Sequence, residues 1–476
     1  SSVAMKFLVL FTFLGLCIAS PLGDIDKEYV KEGMDLKELK ADLKELSQEV
    51  EEEFSGKEDE LEDLRANYQM FNSGNQNYTT VSSINELNSN TAGELFEGDI
   101  VLTPEQWKVA RDLDPSKPLT RRQALTVATK LWQPMGAPII YYAFAPSFPA
   151  QGRQIAMEAM RFWESRTCIR FSPATPSTRD YIYLKNDNDG CWSYIGKVGG
   201  RQFINLQTNG CQILTIIAHE ISHSFGTYHV QSRSDRDRYV QIDTTNIQAN
   251  MEHNFARDPE QGLSTYGIPY EFGSMQHYDQ FAFAKDYRRP TIYVKQPYTN
   301  YQNSLEAPRA TFYDTLLINK IYKCTDKCRT PPTCYNNGVA DGRDCTKCFC
   351  PKGWAGPNCQ SRPAGAQIVQ VTQNGQKLRV SLEGPSSGWQ EKLYILQAPQ
   401  GRRIGFNINT FGSLLYNRCI SAGMEVIFSK DTRAAGYKFC NTPRVNNFMS
   451  EGNTMLVWLY RSDANALYSD ITLSLA

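Results

Sequence analysis

The sequence predicts an α+β domain in the middle of the chain, then a small cysteine-rich module, then a C-terminal β-sandwich. Three observations lead there. Strand-like and helix-like patterns alternate between residues 138 and 226 and end in a helix carrying two histidines four apart. Six cysteines crowd residues 328–359. Beyond residue 361, short apolar alternations are separated by Gly, Pro and Asn. At 476 residues the chain is too long for one ordinary core, so several domains are expected. A formal net charge of −1 gives no case for nucleic acid or an anionic membrane as partner.

In chain order, Met5-Lys-Phe-Leu-Val-Leu-Phe-Thr-Phe-Leu-Gly-Leu-Cys17-Ile-Ala19 reads as a secretory signal, residues 1–19. It has a basic start, an apolar run and small residues at its end. The run is short for a membrane span. Removing it takes away Cys17 and leaves an even number of cysteines from the 13 in the chain, which suits an oxidising, extracellular compartment. Residues 24–67 are dense in Lys, Glu and Asp. Leu36, Leu39, Leu43 and Leu46 recur at helical spacing, so an amphipathic charged helix is expected, its plain reading being a solvated one. Asn77-Tyr-Thr79 is an acceptor for N-glycosylation. Phe96-Glu-Gly98-Asp99-Ile100 taken alone is a turn. The basic pair in Thr120-Arg121-Arg122-Gln123 offers a cut between Arg122 and Gln123.

Pro138-Ile-Ile-Tyr-Tyr-Ala-Phe reads as a buried strand, and residues 151–167 as a helix with Ile155, Met157, Met160, Phe162 and Trp163 as its apolar residues. Tyr181-Ile-Tyr-Leu and Gln202-Phe-Ile-Asn-Leu read as further strands. A helix over about 211–226 follows and carries His219-Glu-Ile-Ser-His223-Ser-Phe-Gly226-Thr-Tyr-His229. Residues four apart on a helix lie one above the other, so His219 and His223 face the same way. Gly226 can take a backbone conformation other residues avoid, turning the chain so that His229 returns as a third imidazole. Three protein ligands with a fourth position open mark a catalytic zinc site, with Glu220 beside the first ligand as general base. The chain has only five histidines, and three lie in this window.

The motif is that of the metzincin metalloproteases. The following Ser232-Arg-Ser-Asp235-Arg236-Asp237-Arg-Tyr239-Val240 and the later Tyr270-Glu-Phe-Gly-Ser274-Met-Gln-His277-Tyr278 resemble the astacin family and its Met-turn. The resemblance implies a metzincin fold and a secreted zinc endopeptidase with one Zn2+, acting on extracellular proteins. Extracellular matrix and cuticle proteins are the candidate substrates. It implies that Tyr278 stabilises the transition state. It also implies that Asp99, in a pro-segment motif, caps the metal until the pro-segment (residues 20–122) is removed. The catalytic domain would then span residues 123–324, with disulfides Cys168–Cys324 and Cys191–Cys211, where sequence alone allows three pairings.

Cys348-Phe-Cys350-Pro-Lys-Gly-Trp-Ala-Gly-Pro-Asn-Cys359 resembles the end of an EGF-like module, residues 325–360. Such a module is too small for a real core and depends on disulfides. The resemblance implies Cys328–Cys345, Cys334–Cys348 and Cys350–Cys359, a connectivity that sequence alone leaves open. Residues 361–476, including Leu378-Arg-Val-Ser-Leu and Met455-Leu-Val-Trp-Leu-Tyr, resemble a CUB domain with its Cys419–Cys440 pair. The binding partner of these two units is not legible.

Two positions depart from the family. Val230 stands where relatives have the Glu that follows the third ligand and links to the new N-terminus. Gln276 stands at the Met position of the turn, with Met275 one residue early. They keep open a second reading, an inert zinc domain in a matrix-binding protein that acts through its EGF-like and CUB-like units.

Overall fold

The computed structural model describes residues 36–57, 60–62, 64–65, 83–111, 124–125, 130–132, 138–257, 263–383, 389–412, 419–420, 422–443, 446–461 and 466–476. The expected signal at 1–19, Asn77 and the Arg122–Gln123 bond lie outside them. The frame of the central domain is a six-stranded sheet built from β1 (Ile100–Val101), β2 (Ile139–Phe144), β3 (Arg170–Pro173), β4 (Tyr181–Lys185), β5 (Cys191–Tyr194) and β6 (Arg201–Leu206). The spatial order is β1-β5-β6-β4-β2-β3. All neighbours are parallel except β5 and β6. β1 belongs to the expected pro-segment, so the sheet's edge is completed by chain from outside the expected catalytic domain. Its register sets Ile100 opposite Ser193 and Val101 opposite Tyr194.

The helices that bear on the site are α1 (Leu36–Phe54), α2 (Pro104–Arg111), α3 (Ala150–Glu164), α4 (Leu214–Ser224) and α5 (Phe312–Ile321), in chain order. In α3 the residues Ala156, Ala159, Met160 and Trp163 recur at three- and four-residue spacing and are all buried, which is the apolar stripe that makes a helix face a core. Trp163 Nε1 donates to the Ala218 carbonyl of α4 at 3.0 Å, and its ring meets Phe225 edge-on at 5.5 Å. Ile216, Ile217, Ala218 and Ile221 bury α4 in the same core, although Ile213, just before it, stays half exposed. α5 begins with a capping box in which Thr311 accepts from Asp314 N. Asp314 also accepts from Ser274 Oγ and, at 3.1 Å, from Met275 N, which ties the turn over 274–278 to the helix. The Cys168–Cys324 bond joins the end of α5 back to the start of β3, and Cys191–Cys211 joins β5 to the approach to α4.

The charged helix α1 is not simply solvated. Leu39, Leu43, Val50 and Phe54 are buried, and the opposite face, with Lys37, Glu38, Lys44 and Glu45, is exposed. The helical spacing is strong enough to predict the stripe but says nothing of its partners: Leu39 and Leu43 join the core that holds Phe96 and Trp107, and Val50 and Phe54 join a second cluster with Val240, Ile242 and Phe255. Ser47 Oγ lies 3.3 Å from His253 Nδ1 and accepts from His253 N at 3.0 Å. Glu53 reaches Arg257 at 3.2 Å, Arg65 donates to Asp243 at 3.0 Å, and Trp107 of α2 donates to Asp42 at 3.0 Å. The strap is thereby fastened by an apolar stripe along its length and by polar pairs beside it.

Beyond α5, Cys328–Cys345, Cys334–Cys348 and Cys350–Cys359 staple a small module with an antiparallel pair, Val339–Ala340 and Cys348–Phe349. The last unit is a sandwich of a five-stranded and a four-stranded sheet, with Cys419–Cys440 at one end. Its core holds the alternating inward residues expected of two facing sheets, among them Phe406, Ile408, Val457, Leu459 and Ile471. Lys438 of the sandwich donates to the carbonyls of Ser304 and Glu306 at 3.1 and 2.7 Å, which seats it on the central domain. Among the described residues no helix is long and apolar enough to cross a membrane.

The contact between α1 and His253 makes docking of the strap depend on pH. Burial holds the His253 imidazole down at about 4, so it is neutral when docked. Once exposed it returns toward its ordinary value of about 6.5 and takes up a proton more readily. The undocked state therefore binds more protons between those two values. Docking is at full strength above about pH 6.5 and weakens as pH falls toward 4. Limited proteolysis of α1 is expected to run several-fold faster at pH 4.5 than at pH 7.5, and His253→Gln is expected to flatten that difference.

Candidate metal centre

Helix α4 places His219 and His223 one turn apart. Gly226, at φ +97°, ends the helix. Its amide donates to the His223 carbonyl at 2.7 Å, and a Cβ there would stand 3.2 Å from Leu125 Cβ. This left-handed turn is one that glycine adopts at little cost, and it returns His229 to the face of the helix.

The three imidazoles then point at one another. His219 Nε2 lies 3.0 Å from His223 Nε2 and 3.4 Å from His229 Nε2. Their other nitrogens explain why. His219 Nδ1 donates to the Met275 carbonyl at 2.7 Å and His223 Nδ1 to the Thr227 carbonyl at 2.8 Å. His229 Nδ1 donates to the Glu97 carboxylate at 2.7 Å. Carbonyl and carboxylate oxygens only accept, so the protons sit on Nδ1 and the Nε2 lone pairs are left to converge. Neutral lone pairs so close, all buried, call for a cation between them.

Asp99 faces the same point. Its carboxylate lies 3.2 Å from His219 Nε2, 3.5 Å from His223 Nε2 and 3.3 Å from His229 Nε2. The four ligand atoms lie within 4.8 Å of one another. Three imidazoles and one carboxylate are a donor set for zinc. The loop that delivers Asp99 is closed by mutual backbone bonds of 2.9 Å between Phe96 and Ile100. Phe96 wedges edge-on against Trp107 and Tyr228. Gly98, at φ +75°, leaves no room for a side chain, since a Cβ would meet Phe283 at 2.7 Å. Asn88 donates to the Gly98 carbonyl at 2.9 Å and accepts from Cys191 N at 2.7 Å, stapling the loop to β5.

Glu220 is fully buried, and neither carboxylate oxygen has a hydrogen-bond partner among the described residues. Burial, and then the negative charge of Asp99, pushes its pKa well above that of an ordinary glutamate. Tyr278 lies with its ring 4.8 Å from that of His229, and its hydroxyl donates to the Glu97 carbonyl. Burial raises the phenol well above its usual value, so it stays a donor. His277 is held between the Tyr270 hydroxyl at 2.8 Å and the Tyr278 carbonyl at 2.7 Å, and takes no part in the cluster.

The two departures have definite places. Val230 fills an apolar cluster with Val240, Ile242, Phe255 and Tyr278, and its amide donates to the Gln276 carbonyl at 2.8 Å. Gln276 Nε2 donates to the His219 carbonyl at 3.0 Å and to Ser222 Oγ, so it laces the turn to the first ligand's helix. Met275 is buried one residue earlier. Glu97 is the residue to which pattern reading assigned no role, and nothing in its spacing signals one. The motif around it points to Asp99, and its partner His229 is 132 residues away.

Residues 125–323 match the model of the astacin family of peptidases. Zinc metalloproteinase nas-23 of Caenorhabditis elegans is 32% identical over 402 residues, covering 81% of this chain and 73% of that protein. Zinc metalloproteinase nas-38 of the same species is 33% identical over 393 residues, 79% of this chain, yet the chain spans only about half of that protein's length, 52%. Among solved structures, high choriolytic enzyme 1, a hatching-enzyme zinc-protease of the medaka Oryzias latipes, is 29% identical. The match covers 42% of this chain and 98% of that one, with a TM-score of 0.39.

Gln276→Ala would remove the donor that Ser222 Oγ and the His219 carbonyl share, while those two keep their own 2.9 Å bond to each other. It is expected to lower stability by about 0.5–1.5 kcal/mol in urea unfolding, the net worth of a buried hydrogen bond, with Gln276→Met intermediate because it restores the volume alone.

Proposed function

The chain belongs to the astacin family of zinc metalloproteinases, and from that premise we propose that it is a secreted endopeptidase made as a latent precursor. The observation that carries this reading is the meeting of three Nε2 atoms with the Asp99 carboxylate at one buried point. His219, His223 and His229 would hold the zinc, with the Asp99 carboxylate as a further donor while residues 20–122 remain attached. Bound zinc supplies Lewis acidity that polarises the scissile carbonyl and acidifies water. Glu220, a buried carboxylate whose oxygens have no hydrogen-bond partner among the described residues, takes the proton of the attacking water and delivers it to the leaving amine. The Tyr278 hydroxyl, released from the Glu97 carbonyl, donates to the oxyanion that develops from the scissile carbonyl oxygen.

The same pro-segment blocks the groove as well as the metal. β1 adds to the edge of β5, and removing it exposes an unpaired strand edge on which an extended peptide can hydrogen-bond. Cutting between Arg122 and Gln123 would free both. Six disulfides suit an extracellular setting. The signal at residues 1–19 and the glycosylation acceptor Asn77 fit the same setting. In the proposed organisation, the stapled module at 325–360 is EGF-like and the sandwich at 361–476 CUB-like. Together they present the catalytic domain at 123–324 to extracellular protein substrates such as matrix or cuticle.

Gelatin zymography of trypsin-treated protein is expected to show clearing that a chelator abolishes. Glu220→Gln is expected to retain one equivalent of zinc while losing about 10²–10⁴-fold of its peptide hydrolysis; full turnover in that variant would remove Glu220 from the mechanism. Asp99→Ala is expected to give a precursor that processes itself, and a precursor as silent as the parent would remove Asp99 from latency.

A further inference from the structure

We propose that the pro-segment of this chain also loads the metal: Glu97 is the outer carboxylate of the zinc site in the precursor, and the site binds zinc most tightly before processing. The inference rests on the zinc reading above and goes beyond the cap at Asp99. His219 and His223 lean on the carbonyls of Met275 and Thr227, both within the catalytic domain. Among the described residues, the Nδ1 partner of His229 is Glu97 alone, from the pro-segment. Its Oε2 lies 2.7 Å from Nδ1 and 3.2 Å from the His229 amide, so one oxygen fixes both the ring and its backbone. Glu97 is fully buried, and its backbone is held at φ +47°, a conformation that non-glycine residues rarely take. Such a residue stays there when its surroundings over-determine it, and here they do. Its carbonyl accepts from Tyr278, its side chain grips His229, and Asn88 donates to the carbonyl of Gly98 after it.

The consequence is asymmetric. Outer partners orient a ligating imidazole and raise its basicity, and losing one costs about 10–100-fold in metal affinity. Processing removes Glu97 together with Asp99. The adjacent side chain, Val230, is apolar and buried and supplies no acceptor. Gln231 Oε1 is already bonded to the Tyr278 amide at 3.1 Å. The precursor is thus a closed site with four ligands and a charged outer partner, and the processed enzyme an open one with a less supported third imidazole. Glu97 acts through His229 and is a positioning residue.

The test is a competition titration of zinc against a chromogenic chelator. All forms carry Glu220→Gln so that none processes itself: the otherwise wild-type precursor, the Glu97→Gln precursor, the Asp99→Asn precursor and the trypsin-processed forms of each. The Glu97→Gln precursor is expected to bind zinc about 10–100-fold more weakly than wild type, while its processed form matches processed wild type, because residue 97 has left both. A general loosening of the pro-segment is separated by the Asp99→Asn precursor. It lacks the fourth ligand but keeps Glu97, and is expected still to hold zinc more tightly than processed enzyme. Equal affinity of the wild-type and Glu97→Gln precursors, or an Asp99→Asn precursor no tighter than processed enzyme, overturns the proposal and leaves the zinc site standing. Failure of every form to take up zinc overturns the site as well.

Discussion

Three imidazole nitrogens facing one another in a buried place is the constraint on which the rest depends. Each ring is turned by what its Nδ1 donates to, and each acceptor comes from a different part of the chain. Met275 belongs to the turn held by α5, Thr227 to the loop after Gly226, and Glu97 to the proposed pro-segment. Lone pairs brought that close with their protons on the far side repel unless a cation stands between them. The surrounding core keeps them there because rearranging any one of them would break a buried hydrogen bond.

The packing around the site follows from the same need. Trp163 bonds the backbone of α4 one residue before His219, and Asp314 holds the turn that supplies the Met275 carbonyl. The Cys168–Cys324 bond joins the two elements that carry these supports. Gln276 adds a polar bridge where a methionine would pack by contact alone. The position is therefore filled by hydrogen bonding rather than by dispersion, and the ligand helix is still braced from below.

Latency, in the proposed reading, is distributed over one stretch of the pro-segment. Asp99 faces the imidazole nitrogens, Glu97 holds His229 and Tyr278, Ile100 and Val101 take the sheet edge, and α1 straps across the segment that carries His253. These contacts lie on the same side of the Arg122–Gln123 bond, so a single cut there would separate all of them from the rest of the chain.

What could be read from residues alone was what local geometry decides. Two histidines four apart must share a helix face, a glycine three residues on can reverse the chain, and a third histidine then has one place to go. Strand alternation and cysteine crowding marked the sandwich and the stapled module for the same reason, since period and spacing are properties of neighbouring residues. Only the tertiary structure decided what meets across long stretches of chain. It set Glu97 against His229, Ser47 against His253 and Gln276 against Ser222. It turned a charged helix that looked solvated into a docked one. No periodicity encodes such pairs. They exist because folding removed these polar groups from water, after which each had to find the partner the packing brought within reach.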